Sequence, residues 1–355
     1  MKKKFILFCA IIFSIMGCVD TIHTEVPMKD VEITYLTAPV TKATVEFDAD
    51  NVFESAAFYD VNSFDYASST SEVYITPSVV SCTDKTNHIW KSTTSYYWPK
   101  DGGMLSFFSW SLNKNSLEFV CDPSLDPTIT KDKGVSLVGF SSLSNDDFMV
   151  AEPALDKTAN EQVYHSVSGV TAGVPTLFKH KTAKVSIKTK TKDDYTGDPY
   201  KHTFTITEIN FVDIKTTGDF VQSLGGWQNL KTSATSGSAV DNYFKGSQVS
   251  KYNNGVAQDV VSTGSTLILP QQPTTGVEKL QIKYTVSREY VDNGVTKTKS
   301  TDYVADIDLN ELLGGSQVSM GKNYVFTIIF SLNEIFWDPA VVEWDVLGKE
   351  CEING

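Results

Sequence analysis

Arginine is almost absent from this chain. Among 355 residues and 30 basic side chains, Arg288 is the only arginine. Clamps on phosphate or carboxylate that need two planar guanidinium forks are therefore excluded. Positive charge as a whole is in deficit, with a formal net charge of -13. An acidic excess of this size repels phosphate backbones and argues against nucleic-acid partners. Histidine is sparse: His23, His88, His165, His180 and His202 are the five. None pairs at the spacing of a helical zinc site, and none lies beside a Gly-x-Ser-x-Gly elbow. No catalytic residue, metal ligand or cofactor site is therefore predicted, and the chain does not read as an enzyme. Asp306, Asp308 and Asn310 alternate with apolar Ile307 and Leu309, and no glycine follows where a calcium loop requires one. They read as the polar face of a strand, and Asp48, Asp50 and Asn51 are read the same way. Gly225-Gly226 and Gly314-Gly315 open no helix and read as turns, not phosphate loops. Of the five cysteines, Cys9 and Cys18 lie at the N-terminus, and Cys82, Cys121 and Cys351 show no metal-type clustering. A Cys82–Cys121 disulfide is left open, since an odd cysteine would remain.

Long apolar runs are also missing. The one short run, Phe5 to Met16, follows Lys2, Lys3 and Lys4 and cannot span a bilayer as a permanent helix. It reads as a secretion signal over residues 1–17. Ile15-Met16-Gly17-Cys18 resembles a bacterial lipobox, with Met16 where Ala, Ser or Thr is usual. The expectation is a mature chain that begins at Cys18 and is held to a membrane by acyl chains such as palmitate.

What the chain does have is period-two alternation. Hydrophobic residues make up 41%, enough for buried cores. Val31, Ile33 and Tyr35 alternate with polar neighbours, as do Val185 and Ile187, Phe204 and Ile206, and Ile282, Tyr284 and Val286. Tyr324, Phe326 and Ile328 lead into Phe330, and Val342, Trp344 and Val346 close the series. Short alternating segments separated by turns predict an all-β fold of half-buried antiparallel strands in sandwiches. Asp101-Gly102-Gly103, Asn253-Asn254-Gly255 and Asp292-Asn293-Gly294 read as turns, the last as a hairpin. Cys121 to Gly134 and Thr232 to Gly255 read as surface loops from their composition. The domain boundary is expected near Thr171 to Pro175. Trp90, Tyr96, Tyr97 and Trp98 are read as packing around a proline turn, with a sugar-stacking platform as the alternative.

Several motifs then fit one family in order: Tyr97-Trp98-Pro99; Gly103-Met104-Leu105-Ser106-Phe107-Phe108; Asp147-Phe148-Met149-Val150-Ala151; Leu177-Phe178-Lys179-His180; Gly226-Trp227; Leu269-Pro270-Gln271; Gly321-Lys322-Asn323-Tyr324; and Val341-Val342-Glu343-Trp344. With the lipobox, the chain resembles the fimbrillin family of Bacteroides-type bacteria, the type V pilins.

The resemblance implies two transthyretin-like β-sandwich domains in tandem, over residues 43–173 and 174–355. It implies a lipidated pro-segment, 18–42, whose first strand is removed by a protease. The vacated groove then accepts a strand from another pilin subunit. On this reading the protein is a structural or accessory subunit of a cell-surface fimbrium. It is anchored in the outer membrane through lipid at Cys18 and mediates adhesion to a host or bacterial glycan or protein. Val31 to Thr37 is the expected removable strand. Lys42-Ala43 is the expected processing site, with lysine where arginine is more usual; Lys29 is weaker because cutting there would leave the strand attached. Val342, Trp344 and Val346, within Pro339 to Ile353, are the donor-strand candidates, unless that segment completes its own domain. The alternative function is a surface lipoprotein that binds glycans.

Overall fold

The computed structural model describes residues 31–37, 52–67, 71–85, 89–114, 118–120, 125, 127–159, 173–195, 197–232, 240–263, 266–332 and 335–343. The fold is all-β, as expected. Among the described residues the one α-helix is Leu309–Leu312, a single turn whose first N–H groups are accepted by the Asp308 carboxylate.

The second half of the chain builds a sandwich from two sheets. Ala183–Thr191 buries every second side chain, the signature of a strand with one face on a core. It runs parallel to Lys322–Phe330, with Lys184 opposite Asn323 and Thr191 opposite Phe330. Lys322–Phe330 pairs in turn with Ile335–Glu343, which forms the edge of that sheet. The facing sheet has the order Val240–Ser250, Thr203–Val212, Lys279–Asp292, Val295–Asp308. Phe204, Ile206, Phe211, Ile282, Phe326 and Phe330 fill the space between. Asn293 (φ 54°) and Gly294 (φ 78°) join two 14-residue strands. Positive φ at both central residues gives the turn a twist that matches the strands it connects.

Composition misled at Thr232 to Gly255. The reading there was a surface loop, yet Val240–Ser250 is an 11-residue strand paired along Thr203–Val212. Buried Tyr243 and Phe244 anchor it, and register shifts at Ile206/Glu208 and Ile209/Asn210 break the alternation that would have revealed it. Thr128–Thr130 is likewise a short strand inside the other expected loop.

The first half is organised around a ten-stranded sheet. Its path runs Val174–Pro175, Tyr35–Leu36, Ile89–Ser92, Glu72–Asp84, Val52–Asp60, Met104–Lys114, Asp147–Ala151, Phe178–His180. The first and last strands of that path are separated in sequence only by Thr176 and Leu177. Residues 175 and 178 can be at most about 11 Å apart, so the sheet must curl until its two ends nearly meet. The curl encloses Tyr35, Phe53, Trp90, Trp98, Phe107 and Phe178. Phe53 lies 5.2 Å from Phe178, ring centre to ring centre, although the two strands are far apart along the path. The outer face carries Phe58, Phe108, Trp110 and Phe148. It packs against a four-stranded sheet made of Gly226–Thr232, Lys215–Val221, Gly134–Ser141 and Thr128–Thr130. The sheets thus do not divide at residue 173: Val174–Pro175 and Phe178–His180 join the first sheet, and 215–232 share a sheet with 128–141.

Asp241 is a buried cost in this architecture. It sits opposite Phe211, only 8% exposed, and burial pushes its carboxyl up to about 6. A folded-state value above the unfolded one means that the folded state holds the proton more tightly. Stability therefore falls as pH rises from about 4 to about 6. Asp241→Asn is expected to gain about 2 kcal/mol at pH 7 and nothing at pH 3.5; urea unfolding at both pH values measures the difference.

Candidate assembly site

The seam of the curled sheet is closed by residues 31–37. Tyr35–Leu36 pairs antiparallel with Ile89–Ser92 on one side and parallel with Val174–Pro175 on the other. The backbone ladder extends beyond those two residues. The Ile33 N–H donates to the Tyr96 carbonyl (2.9 Å) and the Trp98 N–H to the Val31 carbonyl (3.0 Å). Across the other edge, the Val174 N–H donates to Thr34 (2.8 Å) and the Thr176 N–H to Leu36 (2.9 Å). The segment is an inserted strand, bonded on both edges.

Its side chains are buried more fully than alternation suggests. Ile33, Tyr35 and Leu36 are each 2% exposed, and Thr37 is also buried. Burying three large side chains stabilises by on the order of 5 kcal/mol. Tyr35 meets Phe53 edge-on at 5.6 Å and Phe107 at 6.0 Å, the arrangement that ring quadrupoles favour. Burial holds its phenol up to about 12. Glu32 faces the other way, ion-paired with Lys91 and accepting from the Ser95 hydroxyl at 2.8 Å. The Lys91 bond, then the Ser95 bond, hold its carboxyl below the usual glutamate value. Gly173 is needed for closeness rather than for conformation. A Cβ there would stand 2.6 Å from the Tyr35 carbonyl carbon, in the backbone of the strand itself.

Of the sequence-predicted site residues, Cys18, Lys42, Ala43, Trp344 and Val346 lie outside the described residues. Val342 lies opposite Asn323 in the C-terminal edge strand. Through Glu343, then, the donor candidate completes its own sheet. Cys121 is outside the described residues; Cys82 lies 3.4 Å from the Asp84 carbonyl.

The aromatic run is core rather than platform: Trp90 and Trp98 are buried, and only Tyr97 of the pair Tyr97-Trp98 is exposed. His180 is buried against Asp147, whose second oxygen accepts from the Thr182 hydroxyl at 2.5 Å. The hydroxyl bonds to the carboxylate and not to the imidazole, so the trio ties two strands and a turn together without forming a nucleophile–base pair. Asp308 caps the helical turn, and Asp306 accepts from Gln281 at 2.9 Å. No group of acids, cysteines and histidines suited to a metal occurs among the described residues.

A family model described as fimbrillin-like matches residues 41–344. Among solved structures, a fimbrial protein from Bacteroides vulgatus ATCC 8482 is 15% identical, covers 89% of this chain and 99% of its own, and superposes with a TM-score of 0.57. A protein assigned to cell adhesion from Bacteroides uniformis ATCC 8492 is 14% identical over 89% and 99%, with a TM-score of 0.46. The tip fimbrial protein Mfa3 from Porphyromonas gingivalis, C-terminally truncated, is 10% identical over 89% and 100%, with a TM-score of 0.35. The first shares the fold; the other two superpose too loosely to add to it. No curated protein matches.

Truncating the seam should be costly in proportion to burial. Tyr35→Ala is expected to lose about 3–5 kcal/mol of stability, whereas Val31→Ala, at a side chain 42% exposed, should lose less than about 1 kcal/mol. Denaturant unfolding of the two variants checks the contrast.

Proposed function

The chain belongs to the fimbrillin-like family, and on that footing we propose that it is a subunit of a surface fimbria, exported as a lipoprotein and assembled by strand exchange. The observation that carries the reading is the seam. A strand bonded on both edges and buried through Ile33, Tyr35 and Leu36 cannot leave without exposing two unpaired edges and an aromatic core. A vacancy of that kind drives the uptake of another strand, because backbone donors and acceptors there have no partner and apolar surface meets water. While the strand is in place, the subunit has no such need and travels as a monomer.

The strand leaves its slot at Thr37, and Lys42-Ala43 follows five residues later in the sequence. Proteolysis after Lys42 would remove 18–42, taking the lipid on Cys18 and the seam strand together. The replacement strand comes from the C-terminal segment of a neighbour, through Val342, Trp344 and Val346. Ile335–Glu343 is an edge strand, so it can peel from its sheet without dividing it. The subunit's role is structural, at the outer membrane while lipidated and in the cell-surface fimbrium afterwards.

Two measurements test the reading. Cys18→Ser should take up no labelled fatty acid; label in that variant would refute lipidation there. Lys42→Ala should keep the chain monomeric on the cell surface. Polymer of normal length from that variant, or polymer whose N-terminus precedes Ala43, would overturn the processing step.

A further inference from the structure

The slot that holds residues 31–37 sets a sequence requirement that its backbone walls alone do not. Ile33, Tyr35 and Leu36 are each 2% exposed, so the third, fifth and sixth places must be apolar. The seventh, Thr37, is buried as well and takes a small residue. The second place faces Lys91 and the Ser95 hydroxyl, which hold Glu32, and it suits an acid. The third place donates its amide to the Tyr96 carbonyl, which bars proline there.

The stretch Val342–Gly348 meets that requirement place for place. Val31-Glu32-Ile33-Thr34-Tyr35-Leu36-Thr37 aligns without a gap to Val342-Glu343-Trp344-Asp345-Val346-Leu347-Gly348. Valine, glutamate and leucine are identical at the first, second and sixth places. Trp344, Val346 and Leu347 fall on the three buried ones, and Gly348 falls on the small one. Trp344 and Val346 together are close in volume to Ile33 and Tyr35, with the large ring moved one pocket toward the start of the strand. Cores tolerate exchanges that conserve volume in this way. Residues 344–348 lie outside the described residues, so the match is one of sequence.

We propose that the occupant of the vacated slot is Val342–Gly348 of a second copy of this chain, in the sense and register of residues 31–37, with Glu343 on Lys91 and Ser95. This rests on the strand-exchange reading above and adds to it the partner and the register. In the uncut chain residues 31–37 fill the slot, so the C-terminal strand finds a seat only where a neighbour's slot has been emptied. A chain whose donor strand fits its own slot adds copies of itself, which makes it a repeating shaft subunit. The opposite sense has less support. Read in reverse, Val341, Val342 and Trp344 would stand at Leu36, Tyr35 and Ile33, and only Val346, at Val31, would be identical. The forward seat withdraws Val342 and Glu343 from the ladder with Lys322–Phe330. The reverse seat also withdraws Ala340 and Val341, opposite Val325 and Tyr324.

Disulfide trapping reads the register. Glu32 lies opposite Tyr97, which is exposed, and opposed Cα atoms about 4.5–5.5 Å apart are within disulfide reach. Chains with Tyr97→Cys are coexpressed with chains that carry Val341→Cys, Glu343→Cys or Asp345→Cys. Surface polymer is sheared off and oxidised, and linked peptides are identified by mass spectrometry. A link between chains from 97 to 343 is expected to dominate. Burying a carboxylate at the place of Leu36 is costly, so Leu347→Asp should lower polymer yield by roughly tenfold or more. A dominant link from 97 to 341 or to 345, polymer without any link, or normal polymer from Leu347→Asp would overturn the register. A 97–343 link found only within single chains of the Tyr97→Cys/Glu343→Cys variant would overturn the second copy as partner. Chains that stay monomeric after losing residues 18–42 would remove the strand-exchange reading, and this proposal with it.

Discussion

A curled sheet needs something to close it, and here the closing element is seven residues long. The ends of the ten-stranded path are tied by Thr176 and Leu177, so the gap between Ile89–Ser92 and Val174–Pro175 is fixed at the width of one strand. Residues 31–37 fill it. Backbone groups on both flanks then find partners, and Trp90, Phe53 and Phe107 are sealed from water. The rest of the first half is built outward from that closure. The enclosed core fixes the curl, and the curl fixes the outer face on which the four-stranded sheet packs.

That packing explains why the chain does not separate cleanly in the middle. Ala56 and Phe58 point outward from Val52–Asp60 while Phe53 and Ala57 point inward. A strand with both faces buried belongs to two cores at once. The outer core draws on Phe220, Trp227 and Leu269 from the later half as well as Phe140 and Phe148 from the earlier one. Trp227 reinforces the link by donating its indole N–H to the Lys181 carbonyl at 2.5 Å.

Strands with one wet face were readable from sequence. Ala183–Thr191 and Lys322–Phe330 alternate almost without fault, and Asn293-Gly294 announced its hairpin because few other residue pairs accept positive φ twice. Val31 to Thr37 was also legible as a strand. Its partners were not, because pairing with residue 174 depends on how the whole sheet curls. Val240–Ser250 was missed because irregular register hides alternation, and the sheet joining 128–141 to 215–232 was missed because no local pattern reports a partner eighty residues away. The row of Ile282, Tyr284 and Val286 was seen as alternation, and Arg288 continues it. Only the length mismatch between facing strands shows that its far end lies beyond the core.

Direction is the remaining consequence of the seam. The strand lies antiparallel to Ile89–Ser92 on one side and parallel to Val174–Pro175 on the other. A reversed strand would merely exchange the two kinds of ladder, so the backbone walls accept either sense, and it is the buried positions of Ile33, Tyr35 and Leu36 that distinguish them. For a chain that occupies it from outside, the surface that offers the strand differs from the surface that receives it. Contacts of that heterologous kind repeat head to tail, and where the rotation does not close a ring each added copy points the same way as the last. A donor surface distinct from its acceptor would thus be enough to give a filament a front and a back.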